Sequence, residues 1–161
     1  MTNKYLPHIH VLAEDDRNRQ IANGFLLELN VDNRAVQVLE LADGWKKAVE
    51  KFTKEYASEM RQLPERMMVL LIDFDDDENR LSYVKSKIPD DLKARVFVLG
   101  VLSEPENLRT DTNKNFEQIG EALAKDCADN TNELWGHTLL KHNKGELDRM
   151  ASSVKPFLFN K

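Results

Sequence analysis

The strongest constraint on the fold of this chain is an uninterrupted apolar run from Met67 to Ile72, which is followed at once by Asp73. A run without polar residues must be buried on both faces, and that is the environment of a central strand in a parallel sheet. It is far shorter than the roughly 20 residues that a membrane-spanning helix needs. The segment 67–74 therefore predicts a central parallel strand that ends at acidic residues.

Segments of strand type and of helix type alternate along the rest of the chain. Each helix returns the chain to the same end of the sheet, so the strands should run parallel. The predicted fold class is therefore α/β, a three-layer, open and mostly parallel sheet with helices on both faces. Further strands are predicted at 9–13, 35–41 and 95–102, and helices near 21–29, 45–56, 81–88, 116–127 and 132–153. The last of these helices could be broken near Gly145.

The composition favours one domain in a reducing compartment. A chain of 161 residues can bury one core, and we expect a single domain over 1–161 with a helical C-terminal part from about residue 113. Cys127 is the single cysteine, so a disulfide framework is excluded. Residues 1–10 lack the long apolar core of a secretory signal. We therefore expect a cytoplasmic location without membrane contact.

Acidic residues follow three of the predicted strands. Since ligands of open α/β sheets bind beyond the carboxyl ends of the strands, these acids should share one crevice. Negative charges held close together there need a positive charge to compensate them, and carboxylate oxygens suit a hard cation such as Mg²⁺ or Mn²⁺. Asp73 and Asp75 alternate as the chain leaves its strand, so both carboxylates should reach one ion. The acidic groups are Glu14-Asp15-Asp16, Asp73 with Asp75, Asp76 and Asp77, and Glu104 with Glu106.

The order of these motifs resembles the Toprim fold of topoisomerases, primases and small bacterial nucleases. The resemblance rests on an apolar strand that ends in Glu14, a second strand with a turn at Gly44, and the segment Val69-Leu70-Leu71-Ile72-Asp73-Phe74-Asp75. It covers roughly residues 8–105. Toprim proteins often have glycine after the first glutamate, where this chain has Asp15.

The Toprim resemblance implies a metal-dependent nuclease or phosphodiesterase. Glu14 would be a metal ligand and an acid or base, and Asp73 and Asp75 would hold Mg²⁺ for cleavage or joining of phosphodiesters. Because the net charge is −5, a nucleic-acid partner would have to be met through the metal and a local basic patch. Candidates for that patch are Arg17, Arg19, Lys85, Lys87, Arg109 and Lys141.

Further site residues are predicted in the second half of the chain. Glu104 and Glu106 could hold a second ion about 4 Å from the first, as in two-metal nucleases, or could belong to an ordinary charged loop. His137, Lys141 and His142 lie close together on a predicted helix. In the phosphoryl-transfer hypothesis, Lys141 or His142 stabilises charge on phosphate or moves a proton. The simpler interpretation is that they are surface residues.

The C-terminal segment has a resemblance of its own, which supplies no function. Residues 103–161 are similar to those of a group of small bacterial proteins of unknown role. The similarity implies that this segment belongs to the same domain as the rest. It is carried by Ser103-Glu104-Pro105-Glu106, Trp135-Gly136-His137 and Leu140-Lys141-His142-Asn143.

One of these patterns also has a purely structural explanation, and one further pattern offers a second type of metal site. The run Asp75–Asp77 could cap the following helix, since carboxylates favour helix N-termini. His8 and His10 have a spacing on the first strand that could bind zinc, but the sequence offers no evident third ligand.

Two other functions compete with the nuclease hypothesis. The segment Val11-Leu12-Ala13-Glu14-Asp15-Asp16, Asp73 and Val154-Lys155-Pro156-Phe157 resemble the acidic pair, the phosphorylated aspartate and the Lys-Pro of signalling receivers. A receiver needs a fifth strand close to that lysine, whereas Lys155 lies roughly 50 residues beyond the fourth predicted strand. The other alternative is a non-catalytic interaction module on a Toprim-like scaffold, with a protein partner or a homodimer. The net negative charge of the chain, and Asp15 in place of the Toprim glycine, favour this interaction module.

Overall fold

Four parallel strands form one sheet in the computed structural model, which describes residues 2–159. Ile9 on the first strand pairs with Val36 on one side and with Met67 on the other. The apolar run that begins at Met67 therefore forms a central strand, as its composition predicted. The strands are β1 (His8–Ala13), β2 (Val36–Val38), β3 (Arg66–Leu71) and β4 (Val96–Leu99), in the order β2-β1-β3-β4 across the sheet.

Helices cover both faces of the sheet, which confirms the predicted three-layer α/β architecture. The helices are α1 (Asp16–Phe25), α2 (Trp45–Lys51), α3 (Ala57–Gln62), α4 (Glu78–Lys87), α5 (Pro105–Thr112), α6 (Phe116–Asp129), α7 (Lys144–Ser153) and α8 (Lys155–Leu158). One apolar core joins the sheet to α1 and to α5 through α8, and a second joins it to α2, α3 and α4. Within residues 2–159, no helix is both long and apolar enough to cross a bilayer.

The chain runs on beside β4 after β3 has ended. The N–H of Ile72 donates to the carbonyl of Leu99 at 2.9 Å, and the N–H of Phe74 donates to the carbonyl of Val101 at 3.0 Å. These hydrogen bonds hold the two chain segments together for several residues beyond the formal strands. Asp73, between Ile72 and Phe74, is therefore fixed at the carboxyl edge of the sheet.

The helix predicted over 132–153 is wrong in its first half. In the structure α7 begins at Lys144, and residues 133–140 form turns and a bend. The carboxylate of Asp126 accepts hydrogen bonds from the backbone N–H groups of Glu133, Leu134 and Trp135. Because side-chain bonds to the backbone compete with helix formation, this carboxylate holds the segment in a turn after α6.

Side chains from the start of α7 cover the free edge of β4. The N–H of Val98 donates to Glu146 Oε1, and the N–H of Gly100 donates to Asn143 Oδ1, both at 3.1 Å. Asn143 Nδ2 donates in return to the carbonyl of Gly100 at 2.9 Å. Unpaired backbone groups at a sheet edge invite aggregation, and these contacts satisfy them. A helix therefore stands where a fifth strand could have been added.

Two glycines allow α1 and α6 to pack with their backbones in contact. A Cβ added at Gly24 would lie 1.9 Å from the carbonyl oxygen of Glu117, and one added at Gly120 would lie 1.9 Å from that of Ile21. Any larger residue would force the helices apart. The contact fixes α1, whose first turn lies at the carboxyl edge of the sheet.

We expect Gly120→Ala to destabilise the protein by about 3 kcal/mol, because its methyl group would collide with backbone atoms that cannot move alone. Urea unfolding measures this change. The matched control is Gly145→Ala in α7, where an added Cβ meets no atom within 4 Å among residues 2–159. That change should stabilise the helix by up to about 1 kcal/mol. Equal effects of the two substitutions would contradict the close packing of α1 on α6.

Candidate cation site between β1 and β3

The candidate site lies where the connections of the two central strands diverge. β1 continues into α1 on one face of the sheet, and β3 continues into α4 on the other face. Such a switch point leaves a crevice at the carboxyl ends of the strands, which is where open α/β sheets bind ligands. Glu14 and Asp15 follow β1 directly, and Asp73 lies two residues beyond β3.

Three carboxylates meet in this crevice. One oxygen from each of Glu14, Asp15 and Asp73 lies within 4.8 Å of the others. Oxygen ligands lie about 2 Å from a bound Mg²⁺, so ligands on opposite sides of one ion are about 4 Å apart. The three side chains could share an ion after small movements. The structure thus brings together Glu14 and Asp73 and adds Asp15, and their role as metal ligands stays a prediction.

Glu14 is fixed by the backbone of β3 and of the residues that follow it. Its Oε1 accepts a hydrogen bond from the N–H of Asp73 at 2.8 Å, and its own N–H donates to the carbonyl of Leu71 at 2.9 Å. Burial raises the pKa of Glu14, although the bond from Asp73 opposes the shift. This glutamate therefore orients the chain at Asp73 in addition to lining the crevice.

Asp15 and Asp73 are joined by Asn18, which sequence reasoning missed. Asp15 is the N-cap of α1, and its Oδ1 accepts from the N–H of Asn18 at 3.0 Å. The Asn18 amide Nδ2 donates to Asp15 Oδ1 and to Asp73 Oδ1, both at 2.9 Å. Asn18 is fully buried, and its Oδ1 has no donor among the described residues. The sequence feature that could have indicated this role is the spacing of Asp15 and Asn18, because an N-cap aspartate contacts the residue three positions later.

Asp73 carries the most perturbed carboxyl group of the crevice. It is 5% exposed, and burial is the main reason that its pKa is raised from 3.8 to about 7. The bond from Asn18 lowers the pKa, the charges of Glu14 and Asp15 raise it, and the charge of Arg17 lowers it. A raised pKa means that deprotonation of Asp73 is costly unless a positive charge is near.

Two arginines supply positive charge on either side of Asp73. Arg17 Nη2 donates to Asp73 Oδ2 at 3.0 Å and to Asp15 Oδ2 at 2.7 Å. Arg80, from α4, donates to the backbone carbonyl of Asp73 at 2.7 Å and stacks on the ring of Trp45 at 4.4 Å. The roles of Arg80 and Trp45 were missed, because nothing in their sequence spacing connects them to Asp73.

The structure leaves Asp75 outside the carboxylate cluster. The sequence prediction relied on strand alternation, but Asp75 and Asp76 adopt left-handed backbone conformations with φ of 50° and 55°. The alternation therefore ends at Phe74. The side chain of Asp75 is 66% exposed and lies 4.0 Å from Arg80, while Asp77 caps α4 through the N–H of Asn79.

Glu104 and Glu106 differ in their relation to the site. Glu104 is exposed at the N-cap position of α5 and is not part of the cluster. Glu106, in the first turn of α5, accepts hydrogen bonds from Arg17 Nη1 on both carboxylate oxygens. It reaches the other acids through Arg17, and this bond lowers the pKa of Glu106.

Lys141 and His142 lie on a 3₁₀ turn, Lys141–Asn143, and not on the predicted long helix. Lys141 is exposed. The His142 ring packs edge-on against Phe74 with a centroid distance of 5.0 Å, and burial lowers its pKa. Within residues 2–159, neither side chain makes a hydrogen bond or ion pair with Glu14, Asp15 or Asp73. Their catalytic roles stay predictions without a supporting contact.

The residues proposed for a basic patch are divided between the two faces of the sheet, and the patch stays a prediction. α1 and α5 pack on one face, α4 packs on the other, and Lys141 lies on a 3₁₀ turn. Most of these cations also have a partner nearby. Arg17 contacts Asp15, Asp73 and Glu106, Arg19 contacts Asp16, Lys85 contacts Glu146, Lys87 lies over Tyr83 and Arg109 lies over Phe116.

His8 and His10 lie at the opposite end of β1 from this crevice. His8 Nε2 and Arg66 Nε form a hydrogen bond of 3.0 Å, with Arg66 donating. The ring of His10 is 6% exposed, and neither of its nitrogens has a partner in the described part of the chain. The metal-type clusters among residues 2–159 do not include either histidine. The pair is better explained as part of the core than as zinc ligands.

Comparison of this chain with protein-family models, with curated proteins and with solved structures finds no match to any of them. The resemblance to Toprim proteins is therefore a prediction from the motifs alone. The function must be argued from the geometry of the site.

We expect His10→Leu to reduce the acid sensitivity of the fold. Burial lowers the pKa of His10 from 6.5 to about 4, so the unfolded chain binds the proton more readily. The free energy of unfolding therefore falls as pH falls from about 6.5 toward 4. At pH 5, His10 accounts for a loss of about 2 kcal/mol of this free energy. Urea unfolding near pH 7.5 and near pH 5 measures the loss.

The wild type, measured at the same two pH values, is the reference for this experiment. If His10→Leu lost as much stability on acidification as the wild type, burial of a neutral His10 would not be the cause.

Proposed function

We propose that this chain binds a divalent cation, Mg²⁺ or Mn²⁺, through Glu14, Asp15 and Asp73, and that it uses the cation in phosphoryl transfer. The observation that carries the proposal is the convergence of the three carboxylates within 4.8 Å at the switch point of the sheet. An all-oxygen donor set suits Mg²⁺ or Mn²⁺ better than zinc or copper.

The buried amide of Asn18 supports a cation at this position. Its nitrogen is used by Asp15 and Asp73, while its oxygen has no donor among residues 2–159. Rotation of the amide exchanges oxygen and nitrogen, so Asn18 can turn an oxygen ligand toward an ion that occupies the carboxylates. A purely structural asparagine at this depth would have both polar atoms paired.

The residues of the site have distinct roles in this proposal. A bound cation supplies positive charge that offsets the carboxylates and a phosphoryl group beside them. Glu14 orients the backbone at Asp73 through its 2.8 Å bond to the N–H. Arg80 is held in place by Trp45 and is positioned to stabilise negative charge next to Asp73.

A phosphodiester of nucleic acid is the substrate that the Toprim resemblance suggests. The residues around the carboxylates support nucleic acid as the substrate less strongly than they support a bound cation. Asp75 and Glu104 lie apart from the cluster, and Lys141 and His142 make no contact with it among residues 2–159. We therefore propose cation-dependent phosphoryl transfer first and treat nucleic acid as one substrate class to be tested.

The strand order favours a second candidate, a receiver-like phosphoacceptor. The order β2-β1-β3-β4 is that of doubly wound domains of the 2-1-3-4-5 type without their last strand. In this hypothesis Asp73, at the end of β3 and beside the acidic pair, accepts the phosphoryl group. Lys155 does not support it, because its ammonium pairs with Asn130 and not with Asp73. Among residues 2–159, the cations that contact Asp73 are Arg17 and Arg80.

Mn²⁺ binding measured by calorimetry tests the cation proposal. We expect Asp73→Asn and Asp15→Asn to weaken binding at least tenfold, because each removes a charged ligand. Glu104→Gln, which changes an exposed acid outside the cluster, should bind as the wild type does.

Since the pKa of Asp73 is about 7, Mn²⁺ binding near pH 6 should be about tenfold weaker than near pH 8. Absence of Mn²⁺ binding near pH 8 would end the proposal.

Incubation with acetyl phosphate and Mg²⁺, followed by mass spectrometry, distinguishes the two phosphoryl chemistries. A phosphoacceptor should gain about 80 Da on Asp73, and Asp73→Asn should gain nothing. A nuclease should instead cut DNA or RNA in a reaction that EDTA stops. The matched control is Asp75→Asn, which alters an exposed aspartate two residues away. Modification of the wild type at another residue would contradict the role of Asp73.

A further inference from the structure

Arg17 occupies the mouth of the carboxylate cluster as a positive charge supplied by the chain itself. Its Nη2 lies 2.7 Å from Asp15 Oδ2 and 3.0 Å from Asp73 Oδ2. Its Nη1 binds both carboxylate oxygens of Glu106 on α5. One guanidinium therefore joins the start of α1, the end of β3 and the start of α5, and its side chain is 32% exposed.

The position of Arg17 within α1 is unfavourable for a cation. It lies in the first turn of the helix, where the macrodipole favours negative charge. Arg19 in the same helix pairs with Asp16 at the surface, away from the other acids. The contacts of Arg17 with Asp15, Asp73 and Glu106 outweigh the dipole, so these three acids explain why the side chain lies where it does.

Arg17 and a divalent cation would compete for the same oxygens. The Oδ2 atoms that Arg17 contacts belong to Asp15 and Asp73, two of the three candidate ligands. Both occupants offset the same negative charge, and they cannot lie there together. A monovalent ion would replace one positive charge by another without electrostatic gain, whereas a divalent ion adds one charge.

We propose, on the basis of the cation function above, that Arg17 is an internal gate that a divalent cation must displace in order to bind. Glu106 provides the position to which the guanidinium withdraws, because it already binds Nη1 and its side chain is 45% exposed at the rim. In the closed arrangement Arg17 bridges Glu106 to the cluster. In the open arrangement Glu106 alone holds it.

The gate is tested by Mn²⁺ calorimetry on Arg17→Gln. Removal of the competing charge should lower the dissociation constant about tenfold or more relative to the wild type. Arg19→Gln is the matched control, because it removes an arginine of the same helix that contacts Asp16 and not the cluster. It should leave the affinity unchanged.

A second variant, Arg17→Ala, tests whether a guanidinium group competes directly with Mn²⁺, which a merely structural role of Arg17 does not predict. In Arg17→Ala, millimolar methylguanidinium should compete with Mn²⁺ and return the apparent affinity toward that of the wild type, while NaCl of equal ionic strength should not. Tighter binding in both Arg17 variants with this competition supports the gate. If these variants bind as the wild type does, Arg17 is an ordinary ion pair and the cation function stands. If no form of the protein binds Mn²⁺, the cation function itself fails and the gate fails with it.

Discussion

The electrostatic cost of three carboxylates at the centre of the sheet governs the arrangement around the site. Glu14 and Asp15 follow β1, Asp73 follows β3, and the two strands are neighbours, so their acids must meet. Burial there raises the pKa of both Glu14 and Asp73. Each polar contact in the crevice can be understood as an offset for this concentrated negative charge.

The offsets come from elements that approach the edge of the sheet from different directions. Asn18 and Arg17 belong to the first turn of α1, while Arg80 comes from α4 on the other face. The close packing of Gly24 and Gly120 fixes α1 against α6, and this determines where Asn18 and Arg17 can lie. Helix packing far from the crevice thus sets the position of Asn18 and Arg17, two of the groups that contact Asp73. A bound cation could replace Arg17 as the positive charge beside Asp15 and Asp73.

The edge of the sheet also bears on function. In place of a fifth strand, Asn143 and Glu146 bind the backbone of β4, so α7 closes the sheet at this side. The Lys155-Pro156 pair then falls on α8, where the lysine pairs with Asn130. A receiver-like function would therefore depend on arginines for the positive charge at Asp73. His142 lies against Phe74, and its ring nitrogens are buried without a hydrogen-bond partner among residues 2–159.

The alternation of strands and helices, the parallel sheet and the meeting of Glu14 with Asp73 could all be predicted from the sequence. The period of apolar residues and the direction of crossovers, on which these predictions rest, are local properties. The sequence did not determine the set of neighbours at the crevice. Asp75 leaves the cluster through a left-handed turn, and Asp126 replaces a predicted helix by turns. Asn18 and Arg17 contact the carboxylates because α1 is held against α6. Such contacts depend on distances between segments remote in the chain, and no local periodicity encodes them.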